Sequence, residues 1–119
     1  MDDATLLSAF FATWAESDAD KRATMLAEVL SEDCTYSDPN CPAPMQGAEA
    51  INQMLGMFSA NMPGGSARLV GKCDGKNGYT RSAIAFEMNG DEMMRGQYFA
   101  HRDGDKLTMI VGFMGMGDA

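Results

Sequence analysis

The sequence predicts an α+β fold in which three helices precede an antiparallel sheet. Two observations support this prediction. In the first half of the chain, apolar residues recur three or four positions apart, which is the spacing of one helix face. From Ser66 onward the apolar residues alternate instead, and three turn-forming pairs interrupt them, a pattern typical of strands joined by tight hairpins. These pairs are Asn77-Gly78, Asn89-Gly90 and Asp103-Gly104.

The helical half contains three apolar stripes, over residues 6–14, 26–30 and 51–58. Each stripe is long enough for one face of a short amphipathic helix. Asp18 or Asp20 can cap the second helix, because a carboxylate at the start of a helix accepts hydrogen bonds from the free backbone N–H groups.

A short strand is expected between the second and third helices, over residues 34–37, with Cys34 and Tyr36 on one face. Prolines hold the loop that follows out of regular structure. The hairpins after Ser66 leave room for a four-stranded antiparallel meander. Because no linker or change of composition interrupts this order, we expect residues 1–119 to form a single domain.

The last strand, over residues 107–113, is apolar on both faces. Helices can cover only one face of an antiparallel sheet, so a second cover is needed for the other face. A second copy of the chain is the simplest cover, and we therefore expect a homodimer formed through the outer face of the sheet.

Charge and hydropathy argue against two classes of partner. The net charge is −8 and no run of Lys or Arg is present, so we expect no nucleic-acid partner. No apolar stretch reaches the length of a membrane span, so we expect no membrane partner. The start Met1-Asp2-Asp3 lacks the basic residues and apolar run of a secretory signal, which favours a cytoplasmic location.

The few metal-binding residue types indicate neither a metal site nor a cofactor. Cys34, Cys41 and Cys73 match no zinc pattern and no Cys-x-x-Cys motif. His101 is the only histidine, whereas zinc takes three or four protein ligands. We expect buried free thiols, no metal and no cofactor.

Several segments in this order resemble the SnoaL-like branch of the nuclear-transport-factor-2-like superfamily. They are Trp14 in the first helix, "DCTYSDP" after the first strand, "GAEAI" at the third helix, "KNGYTR" at a hairpin and "DGDKLTMIVGFMG" near the end. The resemblance implies a cone, in which a curved antiparallel sheet wraps around a long N-terminal helix and an apolar cavity opens at one end. It also implies dimerisation through the outer face of the sheet.

Within this superfamily the chemistry most similar is that of the ketosteroid isomerase group, whose aspartate-proline segment resembles Asp38-Pro39 here. The resemblance implies that Asp38 is a general base that moves a proton between two carbons. Trp14 falls near the position of the group's helix-one tyrosine, and Gln97 or Tyr98 near its acidic oxyanion-hole residue. Each of these side chains can donate a hydrogen bond. Asp38 is also a good turn residue before a proline.

The predicted ligand is a small apolar molecule. The resemblance places an apolar set of residues around the cavity, and the chain's 12 methionines suit an adaptable pocket. We therefore hypothesise binding of a carbonyl compound, with isomerase-like or cyclase-like proton transfer by Asp38. The alternative is a non-catalytic ligand-binding or protein-interaction module. The predicted lining residues are Tyr36, Met54, Phe58, Met62, Ile84, Phe86, Met109 and Phe113.

Overall fold

The computed structural model describes residues 1–117, which form three α-helices and a six-stranded sheet. The longest helix is the third, and the first is continued by a 3-10 turn over Thr13–Ala15. The helices are α1 (Asp3–Ala12), α2 (Ala19–Val29) and α3 (Ala48–Asn61). The strands are β1 (Leu30–Ser37), β2 (Met45–Gln46), β3 (Gly65–Lys76), β4 (Tyr79–Met88), β5 (Asp91–Asp103) and β6 (Lys106–Met114).

Helix α2 begins at an aspartate cap and ends where the chain enters the sheet. Asp18 is the cap, because its carboxylate accepts hydrogen bonds from the N–H groups of Asp20 and Lys21 at 2.9 and 3.1 Å. Leu30 was predicted to continue the helix, and that prediction is wrong. Its backbone is extended and it pairs with Leu107, so β1 is longer than its apolar pattern indicated.

The sheet is curved and does not close, with strand order β2-β1-β6-β5-β4-β3. Strands β3 to β6 form the predicted antiparallel meander. Strand β1 joins it through parallel pairing with β6, while β2 pairs antiparallel with β1. Strand β2 has only two residues, so it leaves no period in the sequence, and it lies in the proline-rich loop predicted to be irregular.

The first two hairpins turn at Asn77-Gly78 and Asn89-Gly90, as predicted. The four central residues have φ between 52° and 87°, which asparagine and glycine tolerate best. The third hairpin turns at Gly104-Asp105, one residue later than predicted. Asp103 remains in the ladder, opposite Lys106.

Helix α1 packs on one face of the sheet, here called the inner face, and this contact forms the core. Residues of α1 and alternate residues of the strands are buried there, including Phe10, Phe11, Ile84, Tyr98 and Ile110. The opposite, outer face carries the residues between them. Among residues 1–117, none of the helices has the length and apolar character needed to cross a membrane.

Candidate functional site

Asp38 lies at the point where β1 ends and the proline-rich loop begins. Its Oδ1 accepts a hydrogen bond from the Asn40 N–H at 2.8 Å, and its carbonyl oxygen accepts one from the Cys41 N–H at 3.0 Å. These two bonds close a turn of the kind that aspartate before proline favours. Asp38 is therefore a turn residue, and its second carboxylate oxygen, Oδ2, is left available for a further partner.

That partner is the Tyr36 hydroxyl, 2.6 Å from Asp38 Oδ2. The Tyr98 hydroxyl lies 2.8 Å from the Tyr36 hydroxyl. An ionised carboxylate only accepts, so the single proton of Tyr36 goes to Asp38 and Tyr98 must donate to Tyr36. The three side chains thus form a directed hydrogen-bond chain from Tyr98 through Tyr36 to Asp38.

Both tyrosines keep their protons at neutral pH. Burial raises the pKa of Tyr36 well above its usual value, and the neighbouring Tyr98 and Asp38 add to the effect. Burial also raises the pKa of Tyr98. The hydroxyls therefore act as donors that hold the Asp38 carboxylate in one orientation.

The structure distinguishes between the two candidates on β5. Tyr98 points to the inner face and is buried, whereas Gln97 lies on the outer side and donates its Nε2–H to the Met116 carbonyl at 2.6 Å. Tyr98 fits because β6 has a glycine opposite it. A Cβ on Gly112 would lie only 2.8 Å from the Tyr98 hydroxyl oxygen, closer than van der Waals contact.

Trp14 lies at the end of the first helical segment, beside Asp38. Its side chain is buried and packs edge-on against Phe58 and Phe86, with ring centroids 4.9 and 5.5 Å away. Within residues 1–117 its indole Nε1–H has no hydrogen-bond partner. A buried donor without a partner is uncommon, and a ligand acceptor is one way to satisfy it.

A cleft with two lobes opens beside Asp38 and Trp14. The larger lobe has a volume of about 400 Å³ and lies between the proline-rich loop and α3. Helix α3 contributes a stripe at positions 50, 53, 54, 57, 58 and 61, which is one helix face. The lining residues of this lobe are Trp14, Asp38, Asn40, Cys41, Pro42, Met45, Ala50, Gln53, Met54, Met57, Phe58, Asn61 and Met62.

The smaller lobe, about 220 Å³, lies at the ends of β4, β5 and β6. It shares Trp14, Asp38, Asn40, Phe58 and Met62 with the larger lobe, so the two lobes meet at Asp38. Its other lining residues are Phe86, Glu87, Met88, Met93, Met94 and Met114. The site is therefore a largely methionine-lined cleft with one carboxylate at its centre.

The predicted site residues fall into three groups in the structure. One group lines the cleft: Trp14, Asp38, Met54, Phe58, Met62 and Phe86. A second group is buried outside that lining: Tyr36, Tyr98 and Ile84. The third lies outside the cleft: Gln97, Met109 and Phe113.

The predicted place of Met109 and Phe113 in the cavity is wrong. Ile110 on β6 points inward, and alternation along the strand sends Met109 and Phe113 to the outer face. Phe113 is 54% exposed and packs there against Phe99, with ring centroids 5.9 Å apart. The alternation of side chains along this strand was visible in the sequence. Because both of its faces are apolar, the sequence did not reveal which face points inward.

Most of the remaining lining residues were not predicted from the sequence. The helical spacing of Met54 and Phe58 extends to Ala50 and Asn61 and could have identified them. No comparable pattern marked the methionines of the smaller lobe, because they lie on strand ends brought together only by the curvature of the sheet.

The cleft carries negative charge only. Within residues 1–117, its charged lining residues are Asp38 and Glu87. Glu87 pairs with Arg68 at 3.1 Å, whereas no basic group within the same range lies within 4 Å of Asp38. Burial, and next the Asp38 charge, raise the pKa of the Cys41 thiol. No group of three or more His, Cys, Asp or Glu within residues 1–117 could hold a metal ion.

Solved structures show that this fold is shared. A SnoaL-like family protein from Agrobacterium tumefaciens is 24% identical, with a TM-score of 0.84 over 94% of this chain and 96% of that one. A protein of ketosteroid-isomerase-like fold from Catenulispora acidiphila, in complex with trimethylamine, is 16% identical, with a TM-score of 0.75 over 93% and 85%. Neither a protein-family model nor a curated protein sequence matches this chain.

A de novo designed protein with a curved β-sheet is similar too, at 13% identity and a TM-score of 0.70, over 97% of this chain and 88% of that one. The fold of the SnoaL-like, nuclear-transport-factor-2-like superfamily that the sequence resemblance implied is therefore confirmed. A designed protein with the same fold illustrates that the fold alone assigns no activity, which has to be argued from the cleft.

Proposed function

We propose that the cleft binds a small, mostly apolar carbonyl compound and that Asp38 moves a proton at the carbon next to the carbonyl group. The observation that carries this proposal is the position of the Asp38 carboxylate, which lies where two apolar lobes meet. Tyr36 and the Asn40 N–H each occupy one carboxylate oxygen. Both oxygens keep a second lone pair, so Asp38 can still accept a proton from a substrate.

Proton abstraction would place a negative charge on the substrate's carbonyl oxygen, and that charge needs a donor. The buried Nε1–H of Trp14 lacks a partner within residues 1–117, so we assign it this role, which requires the indole ring to shift when the ligand binds. The amides of Asn40, Gln53 and Asn61 in the larger lobe are further donors for a polar group of the ligand. Returning the proton to a different carbon would complete an isomerisation.

A second candidate, ligand binding without catalysis, is favoured by one observation. The hydroxyls of Tyr36 and Tyr98 both point along the chain that ends at Asp38 and are already engaged. Neither is free to stabilise a substrate oxyanion, so the cleft could serve only to hold its ligand. A protein-interaction module would need no ligand in the cleft.

Exchange of α-protons into deuterated water separates these candidates. Phenylbutyl methyl ketone should lose its α-protons faster with the parent protein than in buffer. Asp38→Asn should lower the enzyme-dependent exchange rate about 100-fold or more, the usual contribution of a general base. Asparagine can still close the turn, so the ketone should still bind and the melting temperature should change little.

Glu87→Gln is the matched control, because it removes the other carboxylate of the cleft and should leave exchange intact. Mass spectrometry or NMR of the ketone measures the rate. Parent protein that binds the ketone but exchanges none of its protons would contradict catalysis and leave the binding function.

A further inference from the structure

We infer that the cleft selects a positively charged ligand, an apolar amine whose ammonium group lies against Asp38. The inference rests on the ligand-binding part of the proposed function, because the same cleft must admit small apolar molecules. It corresponds to the candidate without catalysis, since an ammonium group on Asp38 occupies the carboxylate that would act as the base. Three features of the site support it: an unpaired carboxylate, aromatic rings beside it, and the absence of any basic lining residue in the described part of the chain.

Asp38 carries a half-buried carboxylate that has no ion pair within residues 1–117. Two other half-buried carboxylates are paired, Asp3 with Arg102 at 2.9 Å and Glu87 with Arg68 at 3.1 Å. Glu16 is half-buried and unpaired as well, but it lies outside the two lobes. Within the described residues, the side chain of Asp38 accepts hydrogen bonds from two neutral donors, the Tyr36 hydroxyl and the Asn40 N–H. Removing a charge from water without an opposite charge is costly, so a cationic ligand would offset a cost that the free protein bears.

Aromatic rings and sulfur atoms surround this carboxylate. Trp14 and Phe58 line both lobes together with Asp38, and Phe86 lines the smaller lobe. The faces of such rings attract ammonium groups. The methionine side chains add polarizable, apolar surface that adapts to the shape of an alkyl or aryl substituent. This combination of a carboxylate with aromatic rings suits an ammonium group better than an anion, because the described lining contains hydrogen-bond donors but no basic residue.

The shape of the cleft sets the form of the amine. The two lobes meet at Asp38, so an ammonium group at the junction can direct an apolar arm into the lobe of about 400 Å³. Small substituents on the nitrogen then face the lobe of about 220 Å³. A carboxylate or phosphate in the same position would lie beside Asp38 with no neutralising group in the lining that the structure describes.

Three probes of similar length but different charge test the inference. They are phenylbutyltrimethylammonium, phenylbutyl methyl ketone and phenylpentanoate, titrated against Trp14 fluorescence and confirmed by calorimetry. We expect the cation to bind at least about tenfold more tightly than the ketone, and the anion more weakly than either. The preference for the cation should decrease as salt is added, because it is electrostatic.

Asp38→Asn should abolish the tenfold preference and leave the ketone affinity within about twofold, which also shows that the variant is folded. Asp33→Asn, the matched control, removes an exposed carboxylate of β1 that lies outside both lobes and should retain the preference. Equal affinities of cation and ketone for the parent protein, or retention of the preference in Asp38→Asn, would overturn the inference while the cleft still binds ketones. Failure of all three probes to bind would overturn it together with the binding part of the proposed function.

Discussion

The inner and outer faces of β5 and β6 differ sharply, although the same strands form both. On the inner face, Tyr98 is 1% exposed and Ile110 is fully buried. On the outer face, Phe99 is 40% and Phe113 54% exposed, and their rings contact each other edge to edge. The alternation of side chains along these strands therefore gives the two faces different roles. The inner face holds Tyr98, whose hydroxyl donates to Tyr36 and so helps to orient Asp38, and the outer face carries apolar surface.

The two faces also tolerate change differently. The inner face is close-packed, so one added methyl group must displace a neighbour. In a single copy of the chain, the outer face is exposed to solvent. Its apolar residues are here called the outer-face patch: Tyr79, Phe99, Met109, Val111 and Phe113.

The largest effect on the unfolding free energy is expected at Gly112 on the inner face. Gly112→Ala would push a methyl group into the Tyr98 ring, which should lower the free energy of unfolding by about 2 kcal/mol. It should also lengthen the hydrogen bond between Tyr98 and Tyr36, so that the Asp38 carboxylate is held less firmly in its orientation. Urea denaturation measures the first effect.

A double-mutant cycle with Tyr98→Leu is the control for that result. The smaller side chain makes room, so Gly112→Ala should cost much less in this background. An equal cost in both backgrounds would mean that the clash with Tyr98 is not the cause.

The dependence of stability on pH again belongs to the inner face, and one group over one pH unit has a smaller effect than Gly112→Ala. Burial raises the pKa of Cys34 from 9.0 to about 12 and that of Tyr36 and Tyr98 above their usual 10.0. Above pH 9 to 10 the unfolded chain therefore releases protons that the folded chain retains, so the free energy of unfolding should fall as pH rises. Each such group can lower the free energy of unfolding by about 1.4 kcal/mol per pH unit in this range.

Tyr36→Phe removes one of these groups and should flatten the decline above pH 10, even though it lowers stability at pH 7 by removing the bond to Asp38. Denaturation midpoints from pH 8 to pH 11 measure both slopes. Parallel slopes for parent and variant would argue that Tyr36 is accessible to ionisation in the folded protein.

The smallest effect on folding is expected on the outer face, where we propose that a second copy covers the outer-face patch. Phe99→Arg should leave the unfolding of the single chain nearly unchanged but convert a dimer to a monomer, because it places charge in an apolar contact. Ala60→Arg adds the same charge to an exposed site on α3 and should remain dimeric. Sedimentation velocity distinguishes the two masses, and a monomeric parent protein would contradict the proposal.

The order of helices and strands could be predicted from the sequence because local signals encode it. The pairs Asn77-Gly78 and Asn89-Gly90 fixed two hairpins, and helical spacing identified all three helices. The parallel pairing of β1 with β6 could not be predicted in this way, because it joins residues far apart in the chain. Strand β2 is too short to produce a pattern.

The candidate site was predictable only in part, for a related reason. The aspartate-proline pair marked Asp38, and alternation placed Tyr36 on the face of Cys34. Neither pattern could show that the Tyr36 hydroxyl reaches Asp38, or that β6 leaves room for Tyr98. Such features depend on the curvature of the sheet, which only the assembled structure defines.

Methionine-methyl NMR tests the central claim, that ligands bind in the inner cleft at Asp38, most directly. With the methyl groups labelled, phenylbutyl methyl ketone should shift the signals of Met54, Met62 and the smaller-lobe methionines, while Met109 on the outer face stays unchanged. Single Met→Leu variants assign the signals. Shifts at Met109 with none at Met54 or Met62 would contradict the account.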